Sequence, residues 1–401
     1  MYLLQFFNTA VPLITVPYVT RVLGRDGYGV FSIALNIISY LQVVIEYGFG
    51  MSATRKVALG GKDKAQLNTL FSSVLLARVG LTLMCVVLSL AYCIFVTDEI
   101  LVAISIMIMM TCLVGFCVQQ NWLFQGMQEM KFISVVNIVG RTISTLLIFI
   151  CVKHSSDILL YCLLFSISPL ISGFVGLALA KRTYALRLVW VGFDRIYCEL
   201  RDGFLVFTTQ LSSKVFGSFG ITVMGLICLP EDVGAFAAIQ KIPNFALMLW
   251  GPVSQVLYPI SCKRLKSSFS QGYSFLLRVR RYSLIAFGAI CLTLIVFSRQ
   301  IVGLLFGPEY EVNAGWIAPM LGWLIVAIND NFLGIQMLLG SGHDAEYSKC
   351  FQVSVIVTLV LNVILVHQFG GSGAAWAPLL SECILCGMLS FEVSKLLPSR
   401  G

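Results

Sequence analysis

Of 401 residues, 58% are hydrophobic and 11% charged, with 27 Lys and Arg against 19 Asp and Glu for a formal charge of +8. A soluble domain carries about 25% charged residues, so this chain lacks the charge to cover itself with a hydrated surface, and lipid must be its main solvent. That excludes a soluble globular protein, and it means the positive surplus must be located before it is taken for a nucleic-acid surface.

A spanning helix needs about 20 apolar residues. Such runs predict an all-α polytopic membrane protein with spans at 2–23, 28–54, 69–96, 100–124, 132–152 and 158–180, then 203–228, 234–259, 282–306, 314–340, 349–368 and 374–395. Span nine has a shorter variant that ends near Phe297 and leaves Ile301 to Phe306 as an interfacial turn. The stretch Met1 to Leu23 has no basic leader or small-residue cleavage site and contains Pro12 and Pro17, so it reads as a span and not a signal peptide. No basic residue precedes it, which raises the expectation of a natural start a few residues upstream.

The polar segment Lys181 to Asp202 divides the chain into an N-terminal six-span lobe (1–180), a cytoplasmic linker (181–202) and a C-terminal six-span lobe (203–401). A short echo, Asp26-x-x-Gly29-x-Phe31 against Glu231-x-x-Gly234-x-Phe236, hints at related halves, a common transporter plan.

Loops on one side hold nineteen of the Lys and Arg residues, among them Arg55, Lys56, Lys62, Arg195, Lys263, Arg278, Arg280, Arg281 and Arg400. The other side holds only Arg21, Arg25, Lys153 and Arg299. By the positive-inside rule both termini are cytoplasmic, and the surplus is a topology signal with no nucleic-acid partner implied.

Four cations fall within spans: Arg78, Arg141, Lys214 and, nearer an end, Lys241. Arg78 lies nine residues past Thr69, about 14 Å into the bilayer. A charge at that depth costs at least about 2.5–3.5 kcal/mol and must face protein or water. These cations suit an anionic substrate, since arginine matches phosphate through its planar fork. The acidic counterparts Glu46, Asp330 and Glu382 are candidates for ion coupling or for structural pairing. Polar side chains such as Tyr40, Gln42, Gln119, Asn137, Asn329, Asn331 and Gln336 are candidates for sugar contacts or interhelical ties. Pro12, Pro17, Pro169, Pro243, Pro252, Pro259, Pro319 and Pro378 mark bends, static or mobile.

Cys383 and Cys386 form a C-x-x-C, but no histidine lies near, and membrane packing explains them without a metal or cofactor. His154, His343 and His367 are scattered near span ends, and no P-loop, zinc-protease or nucleophile-elbow motif is present. An enzyme such as a polysaccharide polymerase or membrane glycosyltransferase would need a larger loop than the longest one on the sparsely charged side, Arg299 to Ala314.

The opening LLQFFNTAVPLITVPYVTRVLGRDGYG (Leu3 to Gly29), EYGFGMSATRKVA (Glu46 to Ala58), LLFGPEY (Leu304 to Tyr310) and GSGAAWAPLLSE (Gly371 to Glu382) occur in the order found in the Wzx-type O-antigen flippases. The chain therefore resembles that group, in the polysaccharide-transport branch of the MOP exporter superfamily. The resemblance implies two six-helix lobes around a central cavity. It also implies an oligosaccharide on undecaprenyl diphosphate as substrate, flipped to the periplasmic leaflet for O-antigen synthesis, and cavity cations, here Arg78, Arg141 and Lys214, that engage it. A polymerase and a chain-length regulator are the partners implied. Flippases for other exopolysaccharides or lipid II, a drug or cation antiporter, and an assembly scaffold are the remaining readings. The membrane cations disfavour a cationic drug.

Overall fold

The computed structural model describes residues 2–60 and 63–396, with side chains from residue 11 onward, Gly60 apart. Lys62 and Arg400, two of the basic-side cations, lie outside the described residues. Helices account for nearly all of what is described, and no strand occurs among those residues. The chain divides into two units, Met1–Ser218 and Phe219–Gly401.

In the first unit, α1 runs from Tyr2 to Glu46. A straight helix of that length would extend about 68 Å, twice the hydrocarbon thickness. Gly24 breaks it, at φ 70 and ψ −177. On one arm, the Tyr18 hydroxyl donates to the Val152 carbonyl at 2.6 Å. On the other, Gly27 lies against the Ser155 carbonyl. Both arms thus reach one corner, and they are the first two predicted spans.

Span two ends at Glu46 and not at residue 54. Tyr47 (φ 42) and Gly48 (φ 74) take left-handed backbone, and a separate helix, α2 (Phe49–Gly60), follows. The apolar content of Phe49 to Leu59 hides this break from the hydropathy pattern. Gly48 also permits a close approach to α9 (Phe193–Ile227), because a Cβ there would lie 2.8 Å from Val206 and 2.9 Å from the Gly203 carbonyl.

Next come α3 (Lys64–Phe95), α4 (Ile100–Met109), α5 (Thr111–Val118) and α6 (Asn121–Gly126). The Asp63 carboxylate caps α3 by accepting from the Ala65 amide at 3.0 Å. The fourth candidate span runs Ile100–Gly126, in line with the predicted 100–124, but its helix is interrupted after Val118, where Gln119 takes extended backbone. Then α7 (Met130–Cys151) and α8 (Ile158–Tyr184) pack through small residues. A Cβ on Gly140 would lie 2.9 Å from the Ser168 carbonyl, and Ser144 donates to the Leu164 carbonyl at 2.7 Å. Such contacts suit helices that have no hydrophobic gain from leaving lipid. Phe49, Phe71, Trp122, Leu123 and Phe124 form a buried cluster where α2, α3 and α6 meet.

After α8, the chain is extended and tied to α3. The Arg187 amide donates to Asn68 Oδ1 at 2.9 Å and the Val189 amide to Ser72 Oγ at 3.0 Å. The first turns of α9 are held by Lys56, whose Nζ lies 2.8 Å from Glu199 and 2.7 Å from Asp202.

The second unit contains α10 (Pro230–Ile239), α11 (Lys241–Ser267), α12 (Phe269–Val296), α13 (Ser298–Phe306), α14 (Ile317–Asp330) and α15 (Asp344–Leu396). Span nine is α12, which ends beside Phe297 as the shorter variant anticipates, with α13 as a separate short helix. It begins earlier than predicted, so Arg278, Arg280 and Arg281 belong to a helix and not to a loop. Their charges interrupt the apolar pattern, but arginine is a good helix former and α12 continues past the apolar stretch. A π-helical turn, residues 331–338, extends α14. Gly370 (φ 57, ψ −133) splits α15 into spans eleven and twelve. A Cβ on Gly373 would collide with the Leu365 carbonyl, whereas eight residues of straight helix would separate the two by about 12 Å. The chain therefore doubles back at Gly370.

Nine helical stretches among the described residues are long and apolar enough to cross a membrane. Two of them, Val11–Leu59 and Asp344–Leu396, each contain two crossings because of Gly24 and Gly370. With α9, whose apolar run is diluted by Thr208, Thr209, Gln210, Ser212, Ser213 and Lys214, they account for the twelve predicted spans.

Candidate functional site

Arg78 sits on the inward face of α3 with Phe71, Val74 and Ala77, and only 4% of it is exposed. Its Nη1 donates to the carbonyl of Gln119. That partner is available because helix α5 has just ended, and a helix end leaves carbonyls without intrahelical donors. The guanidinium also lies 5.8 Å from the centre of the Phe49 ring, and the Glu46 carboxylate is within electrostatic reach. Arg78 Nε has no hydrogen-bond partner among the described residues.

The same break continues the polar path. Gln119 Nε2 donates to Asn137 Oδ1 at 3.3 Å, and Asn137 is anchored to the Ile133 carbonyl at 2.8 Å. Arg141 follows Asn137 by four residues on α7, on the same side of the helix, and is half-buried. Arg78 and Asn137 thus meet at the Gln119 turn, the first through its backbone carbonyl and the second through its side chain, and Arg141 lies one helical turn further along α7. Hydropathy places Gln119 inside a span, where its carbonyl would be spent on the helix and could not serve an arginine.

Lys214, half-buried on α9, holds its Nζ 5.9 Å from the Tyr40 ring centre on the second arm of α1. Just beyond Tyr40 on that arm, Gln42 donates to Glu46 Oε1 at 2.8 Å. Glu46 is the last residue of α1, close to where a carboxylate can reach the interface. The fourth cation, Lys241, opens α11 in the second unit and is half-buried.

Asp330 and Glu382, both buried, come within electrostatic reach of each other in the second unit. Glu382 Oε2 accepts from the Trp323 indole at 3.2 Å. Asn329 Nδ2 approaches Asp330 Oδ1 at 3.5 Å and Cys386 Sγ at 3.0 Å, while its Oδ1 accepts from Arg280 Nε at 2.7 Å. Asp330 Oδ2 has no partner among the described residues.

Two members of this group are not candidates by sequence. Arg280 falls in a predicted loop, and Tyr347 carries no signal. The Tyr347 ring packs on Gly334 of the π turn, where a Cβ would lie 2.5 Å from it, and both carboxylates act on its phenol. Spacing alone does not reveal a π turn. Helices with such a turn frequently carry functional groups there.

Several polar candidates act as ties. Gln336 accepts from Ser261 at 2.8 Å and donates to Ser254 Oγ at 3.1 Å, and Ser254 lies 2.9 Å from Asn331 Oδ1. They fasten α11 to the π turn. All thirteen cysteines are free thiols. The first unit thus holds cations beside amide side chains, and the second holds a pair of carboxylates.

Known proteins share this chain's sequence and fold over most of its length. The family described as "Polysaccharide biosynthesis protein" matches residues 1–264. A protein of Escherichia coli (strain K12) named "Putative O-antigen transporter" is 27% identical over 98% of this chain and 95% of its own length. A protein of the same name from Shigella dysenteriae is 22% identical over 96% of each chain. Among solved structures, the lipid II flippase MurJ in an inward closed conformation superposes with a TM-score of 0.75 at 13% identity, covering 98% of this chain and 87% of that one. An inward-facing MATE family transporter of the MOP superfamily gives 0.65 at 13% identity, over 98% and 100%. At such identities the likeness is one of fold: this chain shares its fold with both of those transporters.

Proposed function

We propose, since this chain belongs to the polysaccharide biosynthesis protein family, that it is a flippase for a lipid-linked glycan. In this reading it moves an oligosaccharide on undecaprenyl diphosphate from the cytoplasmic to the periplasmic leaflet of a bacterial inner membrane, for O-antigen synthesis. The observation that supports the reading is the Gln119 turn, whose carbonyl accepts from Arg78 and whose side chain reaches Asn137, one helical turn from Arg141 on α7.

A sugar carried through hydrocarbon forfeits several kcal/mol for each unsatisfied hydrogen-bonding group. Amides and hydroxyls on spanning helices replace those bonds, and the diphosphate is matched by Arg141 and Lys214, with Arg78 adding its charge from behind. Lys241, on α11, is the fourth cation assigned to the anionic substrate. The segments 1–180 and 203–401 act as the two halves of an alternating-access cycle, with Glu46, Asp330 and Glu382 coupling it to an ion. Both termini are cytoplasmic, and the chain makes and breaks no covalent bond in its substrate. A polymerase and a chain-length regulator take up its product.

The test is deletion of the gene in its host, with lipid-linked oligosaccharide and the lipopolysaccharide ladder measured together. Accumulated single lipid-linked units with loss of all surface polymer, single-unit caps included, are expected. Caps that persist while long chains vanish would transfer the role to polymerisation. An unchanged ladder would remove O-antigen as the substrate.

A further inference from the structure

We propose that a groove on the basic-loop side of the first unit, between α2, α3 and α9, is a binding site for the phosphate head of a membrane amphiphile. It is a cavity of about 890 Å³, within the range of small-ligand sites. No residue named above as a substrate or coupling group lines it. Its polar wall brings Arg55 and Lys56 from α2 together with Arg195 from α9.

The carboxylates on that wall are already committed. Glu199 is held by Lys56 at 2.8 Å, and Asp63 caps α3 through the Ala65 amide. Arg55 and Arg195 are exposed, and neither has an ion pair among the described residues. Two uncommitted guanidinium groups in one concavity are the donors a phosphate ester requires.

The other wall is apolar. Val57, Leu59, Leu67 and Leu70 line it, and Leu59 is 81% exposed. A groove built only for a soluble anion would have no use for that surface, whereas a phosphate attached to a hydrocarbon chain uses both walls. Ser73 precedes Arg78 by five residues, so the groove lies about 7.5 Å along α3 from the first membrane cation.

Two sources share this chemistry: the diphosphate of a lipid-linked glycan, and an anionic phospholipid of the bilayer. Only the first rests on the flippase reading. The experiment uses the purified full chain in detergent, titrated with undecaprenyl diphosphate or with dioleoylphosphatidylglycerol, with bound lipid counted by native mass spectrometry. Two variants address the groove. R55Q/R195Q removes the free cations, and A65W fills the mouth at an exposed position without changing charge. K263Q/R278Q, two cations of the second unit that do not line the groove, matches R55Q/R195Q in charge loss and is the control.

Both groove variants are expected to weaken lipid binding about tenfold, with the control changed less than about twofold. Loss confined to undecaprenyl diphosphate identifies the glycan carrier as the occupant. Equal loss of both lipids, with mutual competition, identifies a bilayer phospholipid, and the site then stands whether or not the chain is a flippase. Groove variants that bind both lipids like the wild type would overturn the site, as would an equal loss in the control or no binding by the wild type. None of those three results touches the deletion phenotype on which the flippase reading depends.

Discussion

Gly115 of α5 and Gly173 of α8 meet backbone to backbone. A methyl group on Gly173 would run into the Gly115 carbonyl, and one on Gly115 would strike the Pro169 carbonyl. Neither obstacle is a flexible side-chain end, so the helices themselves would have to separate. G173V is therefore expected to cost about 1–3 kcal/mol or more, read as a lower melting temperature and a smaller monodisperse fraction in detergent. Gly80 on α3 has open space around it, and G80A should leave both readouts unchanged or slightly improved.

Arg78 and two of the half-buried cations, Arg141 and Lys214, should separate in their effects. R78A leaves the Gln119 carbonyl without its charged donor and is expected to cost about 1.5–3 kcal/mol, lowering thermal stability together with surface polymer. R141Q and K214Q are expected to melt like the wild type while the O-antigen ladder falls about tenfold. A ladder unaffected by both substitutions would remove them from the substrate path.

The Lys56 ion pairs with Glu199 and Asp202 are partly exposed, so each contributes only about 0.5–1 kcal/mol. K56Q is expected to leave the melting temperature nearly unchanged yet speed amide exchange in residues 193–203, the first turns of α9. Exchange that stays at its wild-type rate would show that the Gly48–Gly203 contact alone holds that helix end.

Asp330 and Glu382 are the groups expected to couple transport to an ion. In vesicles, lipid-linked glycan flipping by the wild type should respond to an imposed proton or sodium gradient. D330N and E382Q should each abolish that response while leaving the protein folded. Retained gradient dependence in both variants would assign the carboxylates to structure, with Glu382 serving the Trp323 indole.

The spans are legible in the sequence because lipid imposes one rule on every crossing, long apolar runs with charge at the ends. What escapes is backbone geometry inside apolar stretches. Gly48 and Gln119 each end a helix where hydropathy continues, and the second of these breaks supplies the carbonyl that Arg78 uses. Arg280 escapes for the opposite reason: three arginines in four residues resemble a loop, although the helix runs through them and Arg280 reaches Asn329. The buried charges are found by their cost in lipid. Their partners are set by breaks and packing between helices, which sequence spacing does not encode.

The reversals at Gly24 and Gly370 have a practical consequence for anyone who wishes to label or perturb this protein. Each joins two crossings with one glycine and no intervening loop. Nothing at either bend offers slack, so an epitope, a protease site or a fluorescent protein inserted there would pry apart a helical hairpin. Trp190, 96% exposed in the non-helical stretch after α8, is the place to try first.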